Sequence, residues 1–486
     1  LIKSQPLARS LFLLLIITGL CLQFCSESSR KSHRKDIVSF DLDSIKARGR
    51  LIAATDFNST NYFIYKGEPM GFNYELLKLF SRHIGVDFKI VTENHLGKAF
   101  DMLHDGRADL LAMSLTVDTH RKKEVQFTEP LCETRQVLVQ RKPDGWNKMT
   151  ASAIESTMIR DLKDLTGKTI YVQENSSHAG RLKDLTGMMR FPMIIEEVPF
   201  ESEELIQLVE EGTVDFAVCD ENVALVNSTY YRNIDIKTVV SDVQDIAWAI
   251  RKTHSKQLLK ELNDWIVQFR KTEMYATLYA KYFKNSRSGS IAGSDYYSLS
   301  TGKISPYDDI IKVYSDTIRW DWRLLASLIC QESRFDPGVR SWAGAYGLMQ
   351  VMPQTGKNFG IDITASPGNN IHAGVKYINW LHSIFDPKIP DENERTRFIL
   401  AAYNAGPGHI LDAMKLAGKN GYDPKVWKNN VEDWLLKKSN PRYYNDTIVK
   451  NGYFSGKESV AFVNEVIERY DHYRNIVPEN SDHDSL

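Results

Sequence analysis

Along the first half of the chain, short apolar runs alternate with stretches of helical period. Residues 49–55, 86–91 and 108–112 read as strands; helices are expected from Gly71 to about Gly85, carrying Leu76, Leu77 and Phe80, and over 99–103. The rhythm returns from about Lys168, with strands at 169–173, 194–198 and 214–219 and helices starting at Ser177 and over 203–210. Two segments, Leu103-His104-Asp105-Gly106-Arg107-Ala108-Asp109-Leu110 and Val209-Glu210-Glu211-Gly212-Thr213-Val214-Asp215-Phe216, share one order: helix, Gly turn, Asp-bearing strand. The alternation predicts two similar α/β lobes with largely parallel sheets and a ligand cleft outside the carboxyl ends of the strands. After 248–251 the chain is expected to recross the hinge and complete the first lobe with helices over 258–269 and 275–282.

From Ser305 onward the period is helical, over 307–317, 370–385, 395–403 and 459–470, and through Leu324, Leu325, Leu328 and Ile329. Residues 285–305, rich in Ser and Gly, read as a linker that permits domain movement. At the N-terminus, Lys3 and Arg9 precede an uncharged, mostly apolar run over 11–24, short for a membrane span and shaped like a signal-peptide core. Cys25 is the preferred acylation site because a polar tether follows it directly; Cys21 is the second candidate, and an uncleaved anchor helix is the competing reading. The expected organisation is a leader (1–25), a tether (26–40), a two-lobed domain (41–284, second lobe about 140–245), a linker (285–305), a helical domain (306–475) and a polar tail (476–486).

Composition changes this picture little. The 486 residues suffice for about three folding units. A formal net charge of -1 gives no electrostatic reason to expect a nucleic-acid partner. Three cysteines beyond the leader, Cys132, Cys219 and Cys330, are not a disulfide framework, although one bridge could form. No cluster has metal-ligand spacing, and no metal or other cofactor is expected.

Candidate chemistry concentrates at Glu332. It lies near the C-terminal end of an apolar helix that stops at Arg334-Phe335-Asp336-Pro337, where the helix dipole and apolar neighbours both favour the protonated carboxyl. Gly338, Gly344 and Gly347 follow and allow tight turns. A poised acid beside a glycine-lined shelf is what cleavage of a glycosidic bond requires. A glycosidase normally shows two carboxylates. Asp336, immediately before a proline, is read as structural, and Asp321 lies at the other end of the helix.

Gln331-Glu332-Ser333-Arg334-Phe335, Gly347-Leu348-Met349-Gln350 and Ala402-Tyr403-Asn404-Ala405-Gly406-Pro407-Gly408 resemble, in order and spacing, the soluble lytic transglycosylase domain of the lysozyme superfamily. Gly67-Glu68-Pro69-Met70-Gly71-Phe72, Gly106-Arg107-Ala108-Asp109, the stretch from Thr116 to Arg121, and Val125-Gln126-Phe127-Thr128-Glu129-Pro130 resemble extracytoplasmic solute-binding domains for amino acids. The combined order resembles the membrane-bound lytic murein transglycosylase F family: a two-lobed α/β periplasmic-binding-protein-like domain followed by a mainly α, lysozyme-like domain.

The resemblance implies non-hydrolytic cleavage of peptidoglycan glycan strands by Glu332 alone, leaving 1,6-anhydroMurNAc ends. It gives Ser333 an orienting role, places Met349 and Gln350 along the sugar groove, and sets Tyr403 and Asn404 across from the acid. Asn404 has two open roles, binding sugar or pinning its loop. Phe462 stands where relatives often carry a tyrosine, which removes a hydroxyl donor. In the first domain, Arg121 would grip a ligand carboxylate, Asp220 would meet its amino group, and Phe57 and Tyr62 would floor an amino acid or muropeptide. The blander account pairs Arg121 with Glu124 or Glu129 and needs no ligand. Attachment through a lipidated N-terminus would place the protein on the periplasmic side of the outer membrane. A lysozyme-like hydrolase and a noncatalytic cell-wall sensor are the competing functions.

Overall fold

The computed structural model describes residues 41–189, 192–284, 294, 298 and 302–477; Cys21, Cys25, the tether and most of the linker and tail lie outside them. In chain order the first lobe supplies β1 (Arg50–Thr55), the hairpin β2–β3 (Phe63–Tyr65, Glu68–Met70), β4 (Asp87–Thr92), β5 (Leu110–Thr116), β6 (Val125–Phe127) and β7 (Cys132–Thr134). The second lobe holds β8 (Gln136–Arg141), β9 (Thr169–Gln173), β10 (Ile194–Val198), β11 (Phe216–Asp220) and β12 (Ile234–Val239), after which β13 (Gln244–Arg251) returns to the first.

The two sheets run β4-β1-β5-β13-β6, with β7 also on β13, and β10-β9-β11-β8-β12. Each has a parallel part, β4-β1-β5 and β10-β9-β11, as the α/β rhythm predicts. The strands nearest the hinge are antiparallel, β8 and β12 in one lobe and β13 in the other, so the sheets are mixed rather than largely parallel. The chain recrosses the hinge between Val239 and Gln244, earlier than expected. The apolar run Ile246–Ile250 is a buried strand of the first lobe, not a segment leading to the crossing.

Helices dominate after Ser305, and their core gathers Leu325, Leu328, Ile371, Ile378, Phe398, Leu400, Val463 and Val466, all fully buried. Ile64, from the β2–β3 hairpin, belongs to this same cluster. The hairpin turns at Gly67, whose φ of +75° suits glycine; a Cβ there would meet Cys330 Sγ at 2.5 Å and Phe335 at 2.6 Å. Tyr473 OH donates to Gly67 O at 2.7 Å, and Arg469 pairs with Glu68 at 3.2 Å. The terminal helix, Lys457–Ile476, also covers the edge of β4: Thr92 Oγ1 donates to Asn475 O at 2.9 Å, and Asn475 Nδ2 to Ile90 O at 2.8 Å. The linker composition permits movement between the domains, yet they meet along a packed, hydrogen-bonded seam.

Candidate active site

Glu332 lies on the helix Trp322–Ser333. Asp321 caps its start, accepting from Arg323 N and from Tyr470 OH, each at 2.9 Å. Leu324, Leu325, Leu328 and Ile329 anchor its buried face. The end is abrupt because Arg334 and Phe335 both turn left-handed, at φ of 52° and 62°. Such a turn costs about 1–2 kcal/mol per residue without glycine, and the full burial of Phe335 offsets it. Ser333 Oγ sits 2.8 Å from Leu348 O and 3.1 Å from Ile329 O, tying the helix end to the glycine-rich loop. Glu332 is half-buried, and burial alone pushes its carboxyl up to about 8. Asp336 is exposed and holds its own turn by accepting from Gly338 N at 2.8 Å, as the structural reading requires.

The loop facing this helix is braced from inside. Asn370 accepts from Met349 N and donates to Tyr346 O, both at 2.8 Å, in the space that Gly347 leaves open. Gln350, at φ of 46°, donates through Nε2 to Gly347 O at 2.9 Å and Val339 O at 3.1 Å. Met349 corrects the expectation that its side chain lines the groove: it is fully buried against Gly374. Tyr403 OH donates to Met349 O at 2.7 Å. Burial, and after it the charge of Glu332, hold that phenol far above its ordinary range. Asn404 Oδ1 accepts from Ser459 Oγ at 2.6 Å, which ties its loop to the terminal helix, and the residue is exposed. Phe462 is buried, and Tyr470 spends its hydroxyl on Asp321, so Tyr470 does not supply the missing donor.

Two residues that the motifs did not single out extend this site. Tyr377 packs on Tyr403 with ring centroids 5.4 Å apart, and Trp380 stacks on Tyr377 at 5.5 Å and 20°. Trp380 is 44% exposed, so an aromatic file runs from Tyr403 to the surface. Their i, i+3 spacing on the helix Pro367–Phe385 was the available signal.

In the first domain the lobes meet around a cavity of about 60 Å³ whose lining includes Arg121 and Asp220. Arg121 is buried, donating to Asn175 O of the other lobe at 2.9 Å, and its ion-pair partner is Asp118 at 3.5 Å, not Glu124 or Glu129. Asp220 faces His178 Nε2 at 3.4 Å. Tyr62 does not floor this cleft. It is fully buried, with its OH 2.8 Å from His472 Nδ1 in the seam between the domains. Phe57 packs edge-on to Tyr62 at 6.2 Å and is not among the cavity's lining residues.

Residues 309–425 match the family model of the transglycosylase SLT domain, and residues 50–285 match that of bacterial extracellular solute-binding proteins, family 3. A membrane-bound lytic murein transglycosylase F from Desulfosudis oleivorans is 31% identical over 88% of this chain and 90% of its own length. One from Pseudomonas fluorescens is 31% identical over 88% of this chain and 86% of its own. The crystal structure of the ancestral amino acid-binding protein AncCDT-1 aligns with 50% of this chain and 99% of its own, at 24% identity and a TM-score of 0.43. With both domain types matched in order and relatives aligned over most of their length, the chain belongs to the membrane-bound lytic murein transglycosylase F family.

Proposed function

We propose that Glu332 alone carries acid and base catalysis in cleaving the bond between MurNAc and GlcNAc of peptidoglycan strands. In the first step its carboxyl donates a proton to the bridging oxygen as the C1–O bond breaks, and GlcNAc leaves with a new hydroxyl. In the second, the MurNAc C6 oxygen bonds to C1 while its proton passes to the Glu332 carboxylate. The product is a 1,6-anhydroMurNAc end; no water is consumed, and the acid is regenerated. An internal nucleophile brings high effective concentration and needs no activated water.

The observation that carries this reading is the burial of Glu332, which pushes its carboxyl up to about 8, with neither carboxylate of its own neighbourhood in sequence free to assist. Asp321 is bound to Arg323, and Asp336 is turned to Gly338. In this reading Ser333 and Gln350 hold the acid and the shelf in register, Tyr403 and Asn404 flank the glycan, and Met349 contributes through its backbone. The two-lobed domain takes an amino acid or muropeptide between Arg121 and Asp220 and couples its occupancy to cleavage. A lipidated Cys25 would attach the enzyme to the periplasmic face of the outer membrane.

Mass spectrometry of muropeptides released by the wild type and by Glu332→Gln tests the chemistry. Anhydro ends are one water lighter than hydrolytic ends, so the same spectrum distinguishes a transglycosylase from a hydrolase. Undiminished release by Glu332→Gln would remove the acid from the mechanism.

A further inference from the structure

Of the nine tryptophans, Trp342 is the most exposed, at 100%. A single exposed apolar side chain is ordinary; this one differs in how it is held. It stands at the tip of a hairpin, in the turn Ser341-Trp342-Ala343-Gly344. Gly344 N donates to Ser341 O and Ser341 N to Ala345 O, both at 3.0 Å, while Ala345 N donates to Ser341 Oγ at 2.9 Å. Gly344, at φ of 92°, closes the turn in a conformation that suits glycine. The backbone on both sides of the indole is therefore fixed, although the ring itself packs on nothing.

The base of this hairpin is the shelf beside the acid. Gly347 N donates to Val339 O at 2.9 Å, and Gln350 Nε2 reaches the same oxygen at 3.1 Å. Backbone bridges pair Arg340 with Tyr346 and Tyr346 with Val351, so hairpin and shelf form one antiparallel unit. Three residues of extended chain separate Gly347 from the turn, about 10 Å, which is further than one sugar unit. Around the indole the turn is built from Ser341, Ala343 and Gly344, whose small side chains leave both ring faces open to a flat ligand. Insertion into a lipid surface draws on several apolar side chains with cations beside them. Here a single ring stands out, and the nearby guanidinium of Arg340 is already stacked over Tyr346 at 4.7 Å.

We propose that Trp342 contacts the substrate: its indole stacks on a sugar ring of the glycan strand beyond the shelf and gives the enzyme a preference for long strands. The inference rests on the reading that glycan strands cross the Gly347–Gln350 shelf, and adds a contact away from the bond that is cut. β-1,4-Linked amino sugars hold their ring substituents equatorially, so each ring face shows axial C–H groups. Those hydrogens carry slight positive charge and meet the negative face of the indole, while the flat contact buries apolar surface of both. The bonds made by Ser341 hold the turn before the strand arrives, which lowers the ordering cost of binding. A contact made equally before and during bond cleavage tightens binding and leaves the chemical step unchanged.

The test compares the full chain with its Trp342→Ala and Trp342→Tyr variants on soluble, peptide-free glycan strands sorted by length. Full exposure of the ring means that neither substitution disturbs the fold. Trp342→Ala should raise KM on long strands about tenfold, the scale of one aromatic contact, with kcat within about twofold. On the shortest strands that are cut, the difference in KM should vanish. Trp342→Tyr restores a ring and should recover most of the affinity. Binding is read separately in Glu332→Gln, where long strands should shield the exposed indole from acrylamide quenching. Adding Trp342→Phe to that background should remove the shielding. An unchanged KM for Trp342→Ala on long strands would overturn the proposal, and so would a fall in kcat alone, which would make Trp342 a positioning residue of the shelf. Adsorption to phosphatidylglycerol vesicles that Trp342→Ala abolishes, with KM unchanged, would assign the ring to lipid instead. Strands left uncut at every length by the wild type would overturn the transglycosylase reading itself, whereas cutting by Glu332→Gln would overturn only the role of the acid.

Discussion

Replacing Glu332 with glutamine should stabilise the protein in a pH-dependent way while removing its activity. The folded-state carboxyl ionises at about 8, against an ordinary value of 4.5. Between these values the unfolded chain has released a proton that the folded chain still holds, so stability falls as pH rises from 4.5 and levels off above 8. At 1.36 kcal/mol per pK unit, the penalty carried by wild type is on the order of 1 kcal/mol at pH 5 and 3 kcal/mol at pH 7. Glutamine fills nearly the same volume and does not titrate. Urea unfolding of both proteins between pH 5 and 9 measures the difference directly: the two stability curves should diverge with rising pH and run parallel above 8. Curves that stay parallel throughout would mean that the carboxyl ionises as it does in water, which would remove the physical basis for its role as an acid.

Turnover on isolated cell walls should be level below pH 8 and fall about tenfold per unit above it, because the donor must be protonated; steady-state rates from pH 6 to 9.5 check this. Tyr403→Phe leaves Met349 O without its donor and should cost about 1–3 kcal/mol in urea unfolding. Gly67→Ala forces a Cβ into Cys330 and Phe335 at a left-handed position and should cost about 2–4 kcal/mol, read as a lowered unfolding midpoint.

The helix bearing Glu332 was legible because its apolar residues repeat at helical spacing and its stop is written in Arg334-Phe335-Asp336-Pro337. Parallel strands such as β1 and β9 were legible from their alternation with helices. The antiparallel strands at the hinge were harder. Buried runs like Val137-Leu138-Val139 carry no period, and their pairing partners lie far along the chain. Met349 looked like a groove residue because nothing adjacent in sequence shows the room that Gly374 makes for its side chain. Tyr62 was misplaced for a similar reason: its partner His472 comes from the terminal helix of the other domain. The local sequence proposed which residues carry chemistry, whereas their facing was set by contacts between distant segments.

The docked β2–β3 hairpin makes this chain a poor subject for dissection. Severed within residues 285–305, the catalytic half would keep an open socket where Ile64 and Gly67 sat, directly behind the thiol of Cys330 and two positions from the acid. Tyr473 and Arg469 would lose the backbone carbonyl and carboxylate they hold, and His472 its phenol. The binding half would in turn expose a fully buried isoleucine on a three-residue strand. Neither fragment is a faithful miniature of the whole, and an assay on the isolated catalytic half would describe an enzyme whose back wall is missing.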